Sequence, residues 1–204
     1  MNRDEVNLYR LKNEYESLII HSIEKLLFKD YELLLNNSHE ITISNLLARY
    51  MEEIVLLKPN FLCIDLEYNR MVSKNKDDYS KDEVSKAIYI TSFEKDRTDL
   101  HNQIKRYVRP DIIVHRRGTN TDNILWLELK INEPERNCDF DKQKAWYAIS
   151  QLQYKLGISI LIDIKRKIIV FYWVYLKKIE RLEFSIIDGL LKETSKVVDE
   201  YQPT

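Results

Sequence analysis

The chain is poor in the residues that mark loops, disulfide frameworks and membrane spans. It has only 3 glycines and 4 prolines in 204 residues, which argues against a disordered or loop-rich chain. Its 2 cysteines, Cys63 and Cys138, have neither metal-ligand spacing nor a disulfide pattern. The N-terminus has no apolar signal-peptide core, and the longest apolar run, residues 168–176, is far too short to cross a bilayer. We therefore expect a soluble, cytoplasmic protein with no membrane partner.

The chain also lacks an excess of charge of either sign. It has 32 lysines and arginines against 33 acids, a net charge of −1, so no overall positive field would hold it on nucleic acid. Phosphate contacts would have to come from local clusters, each of which has the alternative of being an ordinary solvated turn or strand end. The clusters are Lys105-Arg106 with Arg109, Arg116-Arg117, and Lys165-Arg166-Lys167.

Periodicity divides the chain into a helical N-terminal extension, residues 1–40, and a mixed α/β domain, residues 41–204. Apolar residues at three- and four-residue spacing predict helix over residues 4–35, with a break near Lys29-Asp30. Residues 73–86 have no periodicity. The remaining predicted elements are a helix at 44–57, strands at 61–68, 111–117 and 124–131, a helix at 140–156 that Gly157 would stop, strands at 158–164 and 168–176, and a closing helix at 185–201.

The clearest chemical pattern lies on two successive predicted strands. Asp111 opens one apolar run, and Glu128 and Lys130 close the next. Because strand side chains alternate, Glu128 and Lys130 point to the same face. Charges at the end of a buried strand are costly unless they are paired or bound to a cation. Two carboxylates beside a lysine favour a Mg²⁺ site, with the lysine acting on a nucleophilic water or a developing phosphate charge.

Pro110-Asp111 and Glu128-Leu129-Lys130 resemble the signature of the PD-(D/E)xK, or restriction-endonuclease-like, nuclease superfamily. The resemblance implies an α/β core of helix, three-stranded mixed sheet, helix and strand. It also implies that Asp111, Glu128 and the Leu129 carbonyl hold Mg²⁺ or Mn²⁺, while Lys130 acts on the attacking water. Further stretches, 49–52, 65–70 and 109–118, are similar to a group of bacterial and phage members of this superfamily. The implied activity is hydrolysis of phosphodiester bonds. We expect DNA as the substrate, and the sequence does not decide between DNA and RNA.

The resemblance also implies a third acid on the helix that precedes the first strand. Glu52 and Glu53 are the candidates there, and helical periodicity does not decide between them. The resemblance favours Glu52 as a catalytic residue. The alternative for either is an ordinary exposed glutamate.

Substrate contacts are expected from basic and amide side chains near this site. Asp139 and Lys142 match an Asp-x-x-Lys pair that follows the Glu-x-Lys strand in the family, and Lys142 and Gln143 would reach toward the scissile phosphate. Three arginines complete the predicted nucleic-acid-binding set: Arg109, Arg116 and Arg117.

Two further questions stay open at the level of sequence. The first is whether the chain is a catalytically inactive nucleic-acid-binding or protein-interaction module: the neutral net charge favours this and the intact acid-acid-lysine set disfavours it. The second is whether the N-terminal helix forms a homodimer or packs inside the monomer. Its apolar stripe consists of Leu8, Leu11, Tyr15, Leu18 and Leu26.

Overall fold

The structure, a computed structural model, describes residues 2–36, 38–55, 62–67, 70–71, 84–85, 87–91, 103–118 and 122–201. Within them the chain is a mixed α/β protein. The helices are α1 (Arg3–Lys29), α2 (Tyr31–Leu35), α3 (Glu40–Val55) and α4 (Asp139–Leu152), the last preceded by a 3-10 helix, Glu135–Cys138. The strands are β1 (Cys63–Leu66), β2 (Arg70–Met71), β3 (Val84–Ser85), β4 (Ala87–Thr91), β5 (Gln103–Tyr107), β6 (Ile112–His115), β7 (Leu125–Ile131), β8 (Leu156–Asp163), β9 (Ile168–Tyr175), β10 (Lys178–Ile187) and β11 (Leu190–Glu200).

The main sheet is mixed and has seven strands, in the order β1-β6-β7-β8-β9-β10-β11, so the three-stranded core that the resemblance implies is not confirmed. Its neighbouring strands are antiparallel except for β7 and β8, which are parallel and joined through α4. Parallel neighbours need such a crossover because a tight turn cannot reverse the chain between them. As a result, β7 and β8 end at the same edge of the sheet, where α4 begins.

Helices cover both faces of the sheet. Leu127 and Leu129 of β7 belong to the hydrophobic cluster that includes α1 and α3, whereas Trp126 belongs to the cluster around Ala145 of α4. The helix lies close to the sheet because β8 has Gly157 beneath it: a Cβ there would lie 2.8 Å from the Ala145 Cβ. Gly157 is therefore a packing residue and not the predicted helix stop, a role that Gln153 has with a φ of +61°.

Helix α1 is built into this core. Tyr15, Leu18 and Leu26 of its apolar stripe are buried within the chain. These three side chains therefore pack inside the monomer, whereas Leu8 and Leu11 are only partly buried against the core. A homodimer through α1 stays a prediction.

Two predicted elements differ from the structure, and a third lies mostly outside the described residues. The closing helix at 185–201 is wrong: the segment forms the β10–β11 hairpin, whose turn residues Asp188 and Gly189 have φ of +51° and +77°. Two consecutive positive φ values are typical of the tight hairpin turn that Asp-Gly favours. Helix α3 begins at Glu40 rather than at residue 44. Of the aperiodic segment 73–86, residues 73–83 and 86 lie outside the described residues.

No helix among the described residues is long and apolar enough to cross a membrane.

Candidate active site

Asp111 and Glu128 lie opposite each other at one end of the β6–β7 pair. Ile112 pairs with Leu127, and continuing this register by one residue sets Asp111 across from Glu128 on the same face of the sheet. The Asp111 Oδ2 atom accepts a hydrogen bond of 2.7 Å from the backbone N–H of Leu129. Since the N–H and C=O of one strand residue point to the same edge, the Leu129 carbonyl also faces the Asp111 side.

Helix α4 adds a lysine and an acid to this pair. The Lys144 Nζ lies 2.6 Å from the Glu128 Oε2 and 2.7 Å from the Asp141 Oδ1. The other oxygen of Glu128 accepts a 2.8 Å hydrogen bond from the Trp126 indole N–H. Glu128 is 2 % exposed and Asp141 3 %, so these charges are out of water. Lys144 is thus the direct counterion of both buried acids.

Lys130 joins the cluster to the first turn of α3. Its Nζ lies 3.1 Å from the Glu40 Oε2 and 3.7 Å from the Asp141 Oδ2. That oxygen of Asp141 is buried and has no hydrogen-bond partner among the described residues. Lys130 is 24 % exposed, so its ammonium reaches solvent at the rim of the cluster.

Burial and crowding raise the pKa of the central acids. Burial raises the pKa of Glu128 to about 8, with Asp111 and Asp141 adding to the increase and Lys144 opposing it. Burial also raises the pKa of Asp111, against the opposing effect of the Leu129 N–H and the two lysines. The positive charges of Lys130 and Lys144 therefore do not fully offset the effect of burial and of neighbouring acids on the pKa values of Asp111 and Glu128.

The two lysines remain strongly protonated. Burial would lower the pKa of Lys130, but Asp141, Glu40 and Asp111 outweigh it and raise that pKa. In the same way, Glu128 and Asp141 raise the pKa of Lys144 against the effect of burial. Both ammonium groups thus act as fixed positive charges near neutral pH.

Sequence reasoning missed Glu40, Asp141 and Lys144. The segment Asp139-Phe-Asp141-Lys142-Gln-Lys144 holds two overlapping Asp-x-x-Lys pairs, and the resemblance was matched to the first. The sequence feature that could have pointed to the second pair is the small residue Ala145. In the structure Ala145 is buried on the face of α4 that meets the sheet. Asp141 lies one turn before Ala145 on that face, and the predicted stripe of larger apolar residues pointed elsewhere.

The structure does not bring Glu52 to the cluster, which corrects the expectation for the helical acid. Glu52 is exposed near the end of α3, whereas Glu40 begins that helix. They are 12 positions apart in the chain, or about 18 Å along the helix axis. Glu53 pairs with Lys25 of α1. The helix supplies an acid from its first turn because that turn lies at the edge where β7 ends.

Lys142 also points away from the cluster. Its Nζ lies 2.5 Å from the Asp139 Oδ1 and 4.6 Å from the centre of the Tyr172 ring. Gln143 is half-buried on the same turn of α4, and Arg109 is exposed two residues before Asp111. No contact among the described residues joins Arg109 or Gln143 to the cluster, and their role as substrate contacts stays a prediction.

Arg116 and Arg117 follow the opposite end of β6, away from Asp111. Arg116 lies 3.6 Å from Asp122, and Arg117 donates to Asp65 through its Nε at 2.9 Å. His115 lies 2.7 Å from the same carboxylate. Both arginines therefore pair with acids at the end of β6 that lies away from Asp111. Their role as nucleic-acid contacts stays a prediction.

A polar cleft of about 770 Å³ opens beside Lys130. The start of α3, the end of β7 with the turn that follows it, Asn137 and Lys165 line it. The cleft includes both Glu40 and Lys130, so it is continuous with the acid cluster.

No three acid, histidine or cysteine side chains in the described part of the chain are arranged to hold a metal ion between them. Comparison of the chain with protein-family models, with curated proteins and with solved structures finds no match.

Proposed function

We propose that the protein is a metal-dependent nuclease that hydrolyses phosphodiester bonds, with DNA as the preferred substrate. The observation that carries the proposal is the convergence of Asp111, Glu128 and Lys130 on one face at one end of β6 and β7. The chain order α3-β1-β6-β7-α4-β8 also follows the helix, three strands, helix and strand that the PD-(D/E)xK resemblance implies, although β2 to β5 interrupt it.

The donor set suits Mg²⁺ or Mn²⁺. Asp111, Glu128 and the Leu129 carbonyl offer hard oxygens, the ligands these ions prefer. This set has only two protein carboxylates, so it does not require a three-acid group. The pKa values of Asp111 and Glu128 are raised, and Asp141 Oδ2 accepts no hydrogen bond from a described residue, so a bound cation would stabilise the ionised acids. The Lys144 ammonium would then have to leave Glu128 and remain with Asp141.

When bound, the ion would polarise the phosphate and lower the pKa of a water molecule. Lys130 would orient that water and stabilise the charge that develops on the phosphate, since it is protonated and reaches the solvent-facing rim. Glu40 and Asp141 flank Lys130 and would hold its ammonium in position. The water would attack phosphorus in line with the 3′ oxygen, so that a new P–O bond forms and the bond from phosphorus to the 3′ oxygen breaks. The proton released by the water would balance the one taken up by the leaving 3′-hydroxyl.

The contact between Lys144 and Glu128 favours one rival, a non-catalytic binding module on the same scaffold. In that case Lys144 would be a permanent counterion and the cluster would serve stability alone. The two hypotheses differ in what Lys130 does.

The test is a plasmid and oligonucleotide cleavage assay with Mg²⁺ or Mn²⁺, together with thermal melts. Lys130→Ala should abolish cleavage and keep metal binding, because a cation cannot ligate the ion. Asp111→Asn should weaken metal binding and cleavage together, because it removes a ligand charge. A folded Lys130→Ala protein that cuts as well as wild type, or a wild type that never cuts, would refute the proposal.

A further inference from the structure

The charged side chains around the polar cleft differ in whether they already have a partner among the described residues. On its walls, Glu40 is engaged by Lys130, and Glu133 accepts a 2.7 Å hydrogen bond from Asn137. Lys165 is exposed and makes no ion pair with any described residue. Among the described residues that line the cleft, Lys165 is therefore a lysine that could pair with an outside ligand.

The position of Lys165 follows from the strand directions. Because β7 and β8 are parallel, with Lys130 beside Leu161 and Ile131 beside Ile162, both strands end at the same edge. The turn from β8 to β9 carries Lys165 at that edge. Its neighbour Arg166 is bound to Asp163 through its Nε at 2.6 Å, which fixes the turn and leaves Lys165 projecting.

We propose that a nucleic-acid strand runs from the acid cluster along this cleft, with Lys165 contacting a backbone phosphate next to the scissile one. The inference rests on the proposed nuclease function and adds the direction in which the substrate leaves the site. A chain of phosphates matches the cleft because it is open, polar and continuous with Lys130. A phosphate contact contributes affinity without sequence preference.

The test uses Lys165→Gln, with Lys177→Gln as the matched control. Lys177 is also an exposed lysine in a β-turn, but it lies at the opposite end of β9, a strand of 8 residues that spans about 26 Å. Neither change removes a described ion pair, so both variants should fold like wild type.

The measurement is fluorescence anisotropy of a labelled duplex across a salt series, with Ca²⁺ in place of Mg²⁺ so that binding is observed without cleavage. Loss of one phosphate contact should lower affinity about eightfold at 0.1 M salt and reduce the slope of log K against log salt by about 0.9. Lys177→Gln should leave both quantities unchanged, and inorganic phosphate should compete poorly with the duplex.

Three outcomes would overturn the inference. If wild type binds and cleaves but Lys165→Gln keeps its affinity and slope, the path is wrong and the nuclease function stands. If Lys177→Gln loses as much as Lys165→Gln, the effect is one of general charge. If wild type neither binds nor cleaves nucleic acid, the proposed function fails and this path fails with it.

Discussion

Two buried glutamates sit on strands of the same sheet, each beside a lysine from a helix, and their ionisation differs. Glu180 of β10 lies 2.5 Å from the Lys12 Nζ and 2.8 Å from the Lys196 Nζ, and it also accepts a hydrogen bond from Tyr175. Burial opposes ionisation there, but these three donors outweigh it and lower the pKa of Glu180. At Glu128 the effect of burial outweighs that of Lys144, and the pKa rises to about 8.

The difference follows from the numbers of acids and lysines. In the Glu180 cluster, Glu16 and Glu180 face Lys12 and Lys196, so charge is balanced. In the other cluster the described residues include two lysines and four acids: Glu40, Asp111, Glu128 and Asp141. The balanced cluster joins α1 to the sheet without need of a ligand. The cluster with more acids than lysines would be stabilised by a bound cation, which is the physical basis for proposing it as the active site.

The largest expected effect is on stability, at the balanced cluster. Glu180→Ala would leave Lys12, which is fully buried, with Glu16 as its only acid among the described residues. Removing one partner of a buried ion pair costs about 4 kcal/mol. Urea denaturation would measure this, with Glu193→Ala on the exposed side of β11 as a control that changes stability by less than about 0.5 kcal/mol. A loss no greater than the control's would contradict the assignment.

The pH dependence of stability should separate the two glutamates. With a metal chelator present, the folded state holds the Glu128 proton between its ordinary pKa of 4.5 and about 8, so stability should fall as pH rises through this window. One group contributes a slope of at most about 1.4 kcal/mol per pH unit. Glu128→Gln should remove that slope.

Glu180 has the opposite sign. Its folded pKa is lowered, so its stabilisation is present above pH 4.5 and is lost only as pH falls below that value. Denaturation curves at several pH values would test both windows. Equal pH profiles for wild type and Glu128→Gln between pH 5 and 8 would contradict the raised pKa.

A smaller effect should follow from moving α4. Gly157→Ala would place a Cβ 2.8 Å from the Ala145 Cβ and push the helix, with Asp141 and Lys144, away from Glu128. We expect a loss of about 2 kcal/mol, measured by urea denaturation, and weaker Mn²⁺ binding. Adding Ala145→Gly should restore most of the metal binding. If the single variant binds Mn²⁺ like wild type, α4 does not position the site.

The smallest expected effect concerns Lys144 as the competitor of the ion. Lys144→Met removes the ammonium that lies 2.6 Å from the Glu128 Oε2. Mn²⁺ should then bind about tenfold more tightly, equivalent to about 1.4 kcal/mol, and the protein without metal should be less stable. Lys142→Met is the control, because Lys142 pairs with Asp139 outside the cluster. Unchanged Mn²⁺ affinity in Lys144→Met would show that the lysine and the ion do not compete.

The sequence predicted the parts of the site that lie on adjacent strands. Alternation along β7 and the pairing of β7 with β6 are local, so Asp111, Glu128 and Lys130 could be brought together from their spacing alone. The residues from helices could not, because the choice among Glu40, Glu52 and Glu53 depends on where α3 begins relative to the sheet. Lys142 was predicted instead of Lys144 for the same reason. Each lysine lies three residues after an aspartate, and only the packing of α4 against Gly157 decides which face of the helix meets the sheet.

Other elements were predicted wrongly where one local sequence pattern is compatible with two structures. Residues 185–201 combine apolar and charged residues in a way that suits a helix or an edge hairpin, and only the Asp188-Gly189 turn distinguishes them. The stripe of α1 was recognised correctly as apolar. Whether it meets another subunit or the protein's own sheet is decided by tertiary structure.

The most direct test of the account is a calorimetric titration of Mn²⁺ into wild type, Asp111→Asn and Glu193→Gln. Asp111→Asn removes one acid from the cluster with excess negative charge, and Glu193→Gln removes one from an exposed strand. The account predicts saturable binding of Mn²⁺ by wild type and by Glu193→Gln, and its loss in Asp111→Asn. A wild type that binds no Mn²⁺, or an Asp111→Asn variant that binds it equally well, would contradict the claim that the acid cluster is a metal-dependent active site.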